Sequence, residues 1–316
     1  MTPWNRLKSD GLHVLDGAMA TELELRGCDI SGPLWSAQVL ADSPDTIEAV
    51  HDSYLEAGAD CILTASYQVS FEGYRELGLA PESAAEALRK SVRLAESSRD
   101  RYRLRSRRPV WIAASLGPYG ASLHNGAEYH GNYDCSFETL VSFHARRLAV
   151  LSETTADLAA FETIPSLEEA RAIVIALRGF PEIAAWLSFT CHDELHVAHG
   201  EPLAACGSLL QPEPQVVAAG INCTAPELVS SLIRSLRRTF TRPIVAYPNS
   251  GELWDAEHRC WHGQSSIGEY GELARKWADA GADWIGGCCR TGPKHIKTLR
   301  EALQQIEEVK GSQTLP

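Results

Sequence analysis

The chain has 316 residues, with 29 Lys or Arg against 41 Asp or Glu and a formal net charge of −12. That balance argues against a nucleic-acid surface, which needs clustered basic side chains, and no apolar run approaches the roughly 20 residues of a membrane span. The hydrophobic share of 44% and charged share of 22% fit a soluble globular protein, Met1–Asp10 lacks the apolar stretch of a signal peptide, and a cytoplasmic location is the expectation.

Short apolar runs alternate with amphipathic helical runs along the whole chain, with no Ser/Gly-rich linker to divide it. His13–Gly17 reads as a first strand. Asp45–Ala57 follows as a helix, with Ile47, Val50, Tyr54 and Leu55 at helical spacing and Gly58 closing it. Asp60–Ser66 is a second strand, Glu82 to about Arg105 a long helix, and Val110–Leu116 a third strand. A polar loop rich in Gly and Tyr, Gly117–Asp134, precedes a helix at Phe137–Leu151. Strand four at Leu158–Ile164 leads to a helix at Leu167–Leu177, and strand five at Ala184–Thr190 to a short helix at Pro202–Leu210. Strand six at Val216–Asn222 is followed by a helix at Pro226–Arg238, and strand seven at Ile244–Tyr247 by a helix at Ile267–Ala280. Strand eight at Asp283–Gly287 and a helix at Pro293–Glu308 complete the series.

Eight β-then-α units predict parallel strands joined by right-handed crossovers, closing into a single (β/α)8 TIM barrel domain over residues 1–316. An open doubly wound sheet is the alternative; it is disfavoured because no Gly-x-Gly-x-x-Gly turn follows the first strand. In such barrels the functional groups sit at the C-terminal ends of the strands. Polar or reactive residues do recur there: Asp16-Gly17, Thr64 to Tyr67, Gly117-Pro118-Tyr119, Glu162-Thr163, Asn222-Cys223-Thr224, Asn249-Ser250 and Cys288-Cys289.

Nine cysteines form no compact framework, and neighbouring thiols are awkward partners for a disulfide. Strand ends six and eight can instead place Cys223, Cys288 and Cys289 around a metal. Three thiolates select a soft or borderline cation, Zn²⁺ above all, with a fourth position open; buried unliganded thiols are the competing reading. Arg290 beside the pair would favour thiolate by its charge, though zinc would do so more strongly, which leaves Arg290 for packing or an ion pair on the rim. Such a centre suits activation of a substrate thiol and points to alkyl transfer. Asp16 and Glu162 read either as structural groups, a helix N-cap or a barrel ion pair, or as a site for an ammonium group. Gly17 would let backbone N–H groups approach a carboxylate. The loop aromatics Trp35, Tyr67, Tyr119, Tyr129 and Trp254 could cover a cationic methyl donor, or simply pack.

Several stretches together resemble the homocysteine S-methyltransferase family. They are Asp16-Gly17-Ala18-Met19-Ala20-Thr21, Thr64-Ala65-Ser66-Tyr67-Gln68, Gly117-Pro118-Tyr119-Gly120, Phe161-Glu162-Thr163-Ile164-Pro165, Gly220-Ile221-Asn222-Cys223-Thr224, Tyr247-Pro248-Asn249-Ser250-Gly251-Glu252 and Gly286-Gly287-Cys288-Cys289-Arg290-Thr291-Gly292-Pro293. The resemblance runs from about residue 11 to 305, with no room for a cobalamin or folate module, and is greatest to the short free-standing members that use S-methylmethionine. It implies a zinc enzyme of methionine biosynthesis that methylates homocysteine, with S-adenosylmethionine as a second donor. Cys223, Cys288 and Cys289 would be the ligands, Asp16 and Glu162 would hold the substrate ammonium, and Gly17 and Thr64 would lie near its carboxylate. Tyr67, Trp35, Tyr119 and Asn222 complete the expected substrate-binding set. Ala18 and Ala20 stand where the family often has glycine. A selenocysteine acceptor and a non-catalytic zinc- or thiol-binding barrel are the alternatives, and a monomer is expected.

Overall fold

The structure, a computed structural model, describes residues 11–32, 36–255, 260–262 and 267–313. Its strands are β1 (His13–Val14), β2 (Cys61–Leu63), β3 (Trp111–Leu116), β4 (Leu158–Ile164), β5 (Ala185–Phe189), β6 (Val216–Asn222), β7 (Ile244–Tyr247), a hairpin of β8 (Leu253–Asp255) and β9 (Cys260–His262), and β10 (Trp284–Ile285). The eight strands other than the hairpin are parallel, in the order β1-β10-β7-β6-β5-β4-β3-β2. A parallel bridge from Leu15 to Cys61 closes the ring, with Asp60 N donating to Val14 O at 2.7 Å and Asp16 N to Cys61 O at 3.1 Å. This is the (β/α)8 TIM barrel that the alternation of strand and helix patterns predicted.

The helices at Phe137–Leu151, Leu167–Leu177 and Ile267–Ala280 have the bounds read from periodicity. Gly58, at φ 112°, ends the helix Pro44–Ala57 in the left-handed conformation that favours glycine. The helix expected from Pro226 begins instead at Val229, because Trp277 Nε1 takes the Pro226 carbonyl as acceptor at 3.3 Å and holds that turn out of register. Three short helices, Met19–Leu25, Ser36–Asp42 and Phe71–Glu76, lie in stretches read only as connections. With seven, seven and six residues they are too short for a full helical period to stand out. No helix among the described residues is long and apolar enough to cross a membrane.

Alternation along the strands separates two apolar clusters. One faces outward beneath the helices, and the other fills the barrel with Leu15, Cys61, Ala113, Leu158, Ala160, Trp186, Ala218, Val245, Tyr247 and Trp284. At the N-terminal end of the barrel, His13 stacks on Trp284 with ring centroids 4.2 Å apart, and Trp111 meets both edge-on. Two residues further along four of the strands, the same inward parity brings polar groups. Trp111-Ala113 leads to Ser115, Leu158-Ala160 to Glu162, Trp186 to Ser188, and Val245 to Tyr247. The barrel is therefore apolar below and polar at the rim, which is where its chemistry lies.

Candidate metal centre

Cys223 follows the last residue of β6, and Cys288 and Cys289 stand three and four residues beyond β10. Barrel closure brings them together: the Sγ atoms of Cys223 and Cys289 are 3.6 Å apart, and all three sulfurs lie within 4.8 Å of one another. A disulfide would require about 2.05 Å, so these are free thiols. Thiolates about 2.3 Å from a tetrahedral zinc stand about 3.8 Å apart, close to the observed spacing. The donor set thus fits the metal it was expected to hold. The Cys288 thiol is pushed well up, most by its contact with Cys223, with Cys289 opposing and burial adding. A metal must therefore displace protons to bind.

The backbone around the trio is tightly fixed. Cys288 N donates to Pro248 O at 2.7 Å, Ser250 N to Cys289 O at 3.1 Å, and Thr291 Oγ1 to Cys288 O at 2.6 Å. Gly287 is demanded by space, since a Cβ there would lie 2.2 Å from Thr291 Oγ1. Three non-glycine residues on this rim have left-handed backbones, Thr163 at φ 57°, Cys223 at 49° and Arg290 at 64°, each costing about 1–3 kcal/mol. Asn222 holds the first of them: its Oδ1 accepts from Thr163 N at 2.7 Å, and its Nδ2 donates to Thr163 Oγ1 at 2.8 Å. The same amide points at Cys288 Sγ at 4.0 Å, so Asn222 positions two sides of the site. Arg290 forms a rim ion pair with Glu252 at 2.6 Å.

Asp16 and Glu162 lie on the same rim, both buried. Asp16 Oδ2 accepts from Leu63 N at 2.8 Å, while its carbonyl accepts from Gly287 N at 3.0 Å and so joins β1 to the thiol loop. Glu162 accepts from Ser115 Oγ and from Tyr247, whose hydroxyl is in turn hydrogen-bonded to Trp186 Nε1 at 3.2 Å. Burial lifts the Asp16 carboxyl well above its ordinary range; the Leu63 amide opposes the rise and the charge of Glu162 adds to it. Burial raises Glu162 to about 7 against the pull of Ser115 and Tyr247. Among the described residues no cationic side chain offsets either shift. Two desolvated carboxyls with hydrogen-bond donors and no counter-charge among the described residues could hold a cation. Ser115 and Tyr247 were not singled out from the sequence, although their inward parity at the ends of apolar strands was a readable signal.

The remaining expected residues are distributed unevenly. Gly17 is set by packing, since a Cβ there would lie 2.7 Å from Thr291 O. Ala18 is extended (φ −66°, ψ 108°) and Ala20 is helical, so alanine suits both positions. Thr64 Oγ1 accepts from Ser115 N at 3.0 Å and is hydrogen-bonded to Ser66 Oγ at 2.6 Å, which commits it to the scaffold of Glu162. Tyr67 is hydrogen-bonded to Thr163, and the Tyr129 hydroxyl lies 3.5 Å from Cys223 Sγ, so both phenols reach the centre. Tyr119 does not join them: its ring packs edge-on against Tyr133 and Phe143, at centroid distances of 5.4 and 5.2 Å. Trp35 lies outside the described residues.

A loop network outside the thiol rim holds Tyr119 in place. Buried Glu169 accepts from Tyr119 N at 2.6 Å, Tyr133 OH at 2.9 Å and His144 Nε2 at 3.0 Å, and the other His144 nitrogen takes Arg147 at 2.9 Å. These contacts tie the helices Phe137–Leu151 and Leu167–Leu177 to the loop that carries Tyr129.

A parallel barrel whose rim joins three thiols to a buried pair of carboxyls is a candidate metal-assisted transferase acting on a small amino-bearing substrate. Residues 13–303 match the homocysteine S-methyltransferase family. Homocysteine S-methyltransferase YbgG of Bacillus subtilis is 48% identical over 294 residues, covering 91% of this chain and 93% of that protein. The selenocysteine Se-methyltransferase of Brassica oleracea var. italica is 40% identical over 311 residues, covering 94% and 90%. The metallated crystal structure of the homocysteine methyltransferase MmuM from Escherichia coli superposes with a TM-score of 0.86 at 40% identity, covering 95% of this chain and 99% of that one. The chain belongs to the homocysteine S-methyltransferase family and is a methyltransferase.

Proposed function

We propose that the protein transfers a methyl group from the sulfonium of S-methylmethionine to the thiol of homocysteine, with S-adenosylmethionine as a second donor. The observation that carries this reading is the shared rim, on which three clustered thiols lie near two buried carboxyls that have no cationic partner among the described residues. A thiol trio alone would suit a metal store; an ammonium site beside it suits an amino-acid thiol. Cys223, Cys288 and Cys289 would hold zinc, which when bound lowers the pKa of the homocysteine thiol and keeps its sulfur nucleophilic.

The chain's own residues supply binding and alignment. Asp16 and Glu162 take the substrate ammonium, which returns a counter-charge to both and draws Glu162 to its ionised form. The substrate carboxylate lies toward the turn at Gly17, with Thr64 bracing Glu162 through Ser115. Tyr67 and Tyr129 offer ring faces to the sulfonium, and Asn222 fixes the spacing of the rim. In the transfer the donor's S–CH₃ bond breaks as the bond from methyl to homocysteine sulfur forms, and the released electron pair leaves the donor as a neutral thioether. The thiol proton goes to solvent on binding. With S-methylmethionine both products are methionine. Holding the two sulfurs in line within a closed rim supplies much of the acceleration.

We place the reaction in a reducing compartment, the cytoplasm, because the trio must stay as thiols, and read the whole chain as one barrel domain acting as a monomer. The likeness to a selenocysteine Se-methyltransferase favours selenocysteine as the second acceptor to test. The deciding experiment is a panel of S-methylmethionine, S-adenosylmethionine, betaine and methyltetrahydrofolate against homocysteine and selenocysteine, with methylated product quantified. Preference for betaine or the folate would overturn the donor assignment, and full turnover by metal-free protein would overturn the zinc.

A further inference from the structure

A second group of ligating side chains lies on the loop after β5, separate from the thiols: His192, Asp193 and His196, whose donor atoms lie within 4.8 Å of one another. The loop is built rather than loose. Antiparallel bridges join Cys191 to Val197 and His196 to Pro202, and Ala198 N donates to Thr190 O at 2.9 Å. Asp193 Oδ1 accepts from the Leu195 and His196 amides, both at 2.7 Å, which fixes the carboxylate. Its Oδ2 then stands 2.9 Å from His196 Nδ1 and 3.1 Å from His192 Nε2.

The protonation pattern at His192 is informative. Its Nδ1 is 2.8 Å from Val197 O, a group that only accepts, so Nδ1 carries a hydrogen. In a neutral imidazole Nε2 then bears the lone pair that a metal would take, and it stands 3.1 Å from Asp193 Oδ2. A backbone carbonyl that fixes the tautomer through the remote ring nitrogen is the outer-shell arrangement of metal-bound histidines. Donors about 2.1 Å from a tetrahedral metal stand about 3.4 Å apart, so the 2.9 and 3.1 Å separations from Asp193 Oδ2 need open by only a few tenths of an ångström. His192, Asp193 and His196 are 50%, 44% and 36% exposed in their side chains, which gives an ion a path from solvent.

We propose that His192 Nε2, Asp193 Oδ2 and His196 Nδ1 form a second cation site, for a divalent first-row metal with affinity for imidazole, water completing its coordination. Two imidazoles and one carboxylate suit Zn²⁺, Ni²⁺ or Cu²⁺ rather than Mg²⁺ or Ca²⁺. The site has a route to the reaction centre. Thr190 Oγ1, at the root of the same loop, donates to Cys223 O at 3.2 Å, and Cys191 N donates to Thr224 Oγ1 at 3.1 Å. A cation here would cross-link the turn 192–196 and stiffen the loop on which the Cys223 backbone rests.

The test is metal stoichiometry. Full-length reduced apoprotein is dialysed against rising buffered Zn²⁺, and bound metal is counted by mass spectrometry. Protection of the thiols from alkylation reports the trio separately. The wild type should take up two ions per chain, the second without further thiol protection. His192→Ala, His196→Gln and Asp193→Asn should each weaken that second ion by about 10- to 100-fold while thiol protection stays unchanged; Asp193→Asn keeps the turn acceptor and guards against a misfolded loop. His199→Ala, on the same loop outside the cluster, should retain both ions. Saturation of the wild type at one ion, or a second ion that survives all three substitutions, would overturn the proposal.

Discussion

Replacing Glu162 by glutamine removes one of the two carboxyls, Asp16 and Glu162, buried at the thiol rim while keeping the shape of the side chain. Burial holds the Glu162 carboxyl at about 7, and only the ionised form attracts an ammonium. Affinity for an amino-acid ligand is therefore fully present above that pH and lost below it. At pH 5.5, about 1.5 units lower, about 3% of the group is ionised, so binding should weaken about 30-fold, or about 2 kcal/mol. The raised Asp16 carboxyl acts in the same direction. Methionine is the ligand to use, because it carries the ammonium without a thiol proton, and its dissociation constant can be followed by calorimetry from pH 5.5 to 8. Glu162→Gln should bind methionine about 2–5 kcal/mol more weakly at pH 8 and show a flatter profile. A wild-type affinity independent of pH, or a variant profile that superimposes on the wild type's, would refute the ammonium assignment.

The same residue should trade stability for binding. Because its folded pKa lies above the ordinary 4.5, the folded state holds the proton more tightly, and stability falls as pH rises from about 4.5 through 7. Ligand-free Glu162→Gln should then be more stable than wild type at pH 8, by up to about 3 kcal/mol, with the gap closing toward pH 4.5 in denaturant titrations; a gap unchanged with pH would count against this. Cys223→Ser should lower bound zinc and reduce turnover at least about 100-fold, measured by metal analysis beside methionine production. Asn222→Ala strips the hold on Thr163 N and should cost about 1–3 kcal/mol and lower kcat at constant protein folding, seen by thermal melts and kinetics. Glu169→Ala leaves Arg147 and His144 buried without their acid, a loss of about 3–5 kcal/mol that calorimetric unfolding would read; a melt within a degree of wild type would show the network to be dispensable.

Much of the architecture was encoded locally. The helices at Phe137–Leu151, Leu167–Leu177 and Ile267–Ala280 and the strands at Leu158–Ile164, Val216–Asn222 and Ile244–Tyr247 match the sequence reading end for end, because hydrophobic period and flanking turn residues are properties of neighbouring residues. The short helices Met19–Leu25 and Phe71–Glu76 escaped that reading. A single turn beyond nucleation carries little period, and docking on the barrel stabilises what propensity alone would not.

The sequence by itself determined the count of barrel strands, the parallel barrel and the adjacent thiols at a strand end, but not the β8–β9 hairpin. Only the tertiary structure decided which side chains meet. Cys223 comes within 3.6 Å of Cys289 because closure sets the ends of β6 and β10 on one rim on either side of β7, a distance that no local pattern specifies. Ser115 and Tyr247 hold Glu162 because strand parity and stagger set them on the same inward layer, while Tyr119, on an equally polar loop, is taken up by Phe143 and Tyr133. Periodicity says which face of an element is buried; which atom a rim side chain touches depends on the twist and register of elements far apart in the chain.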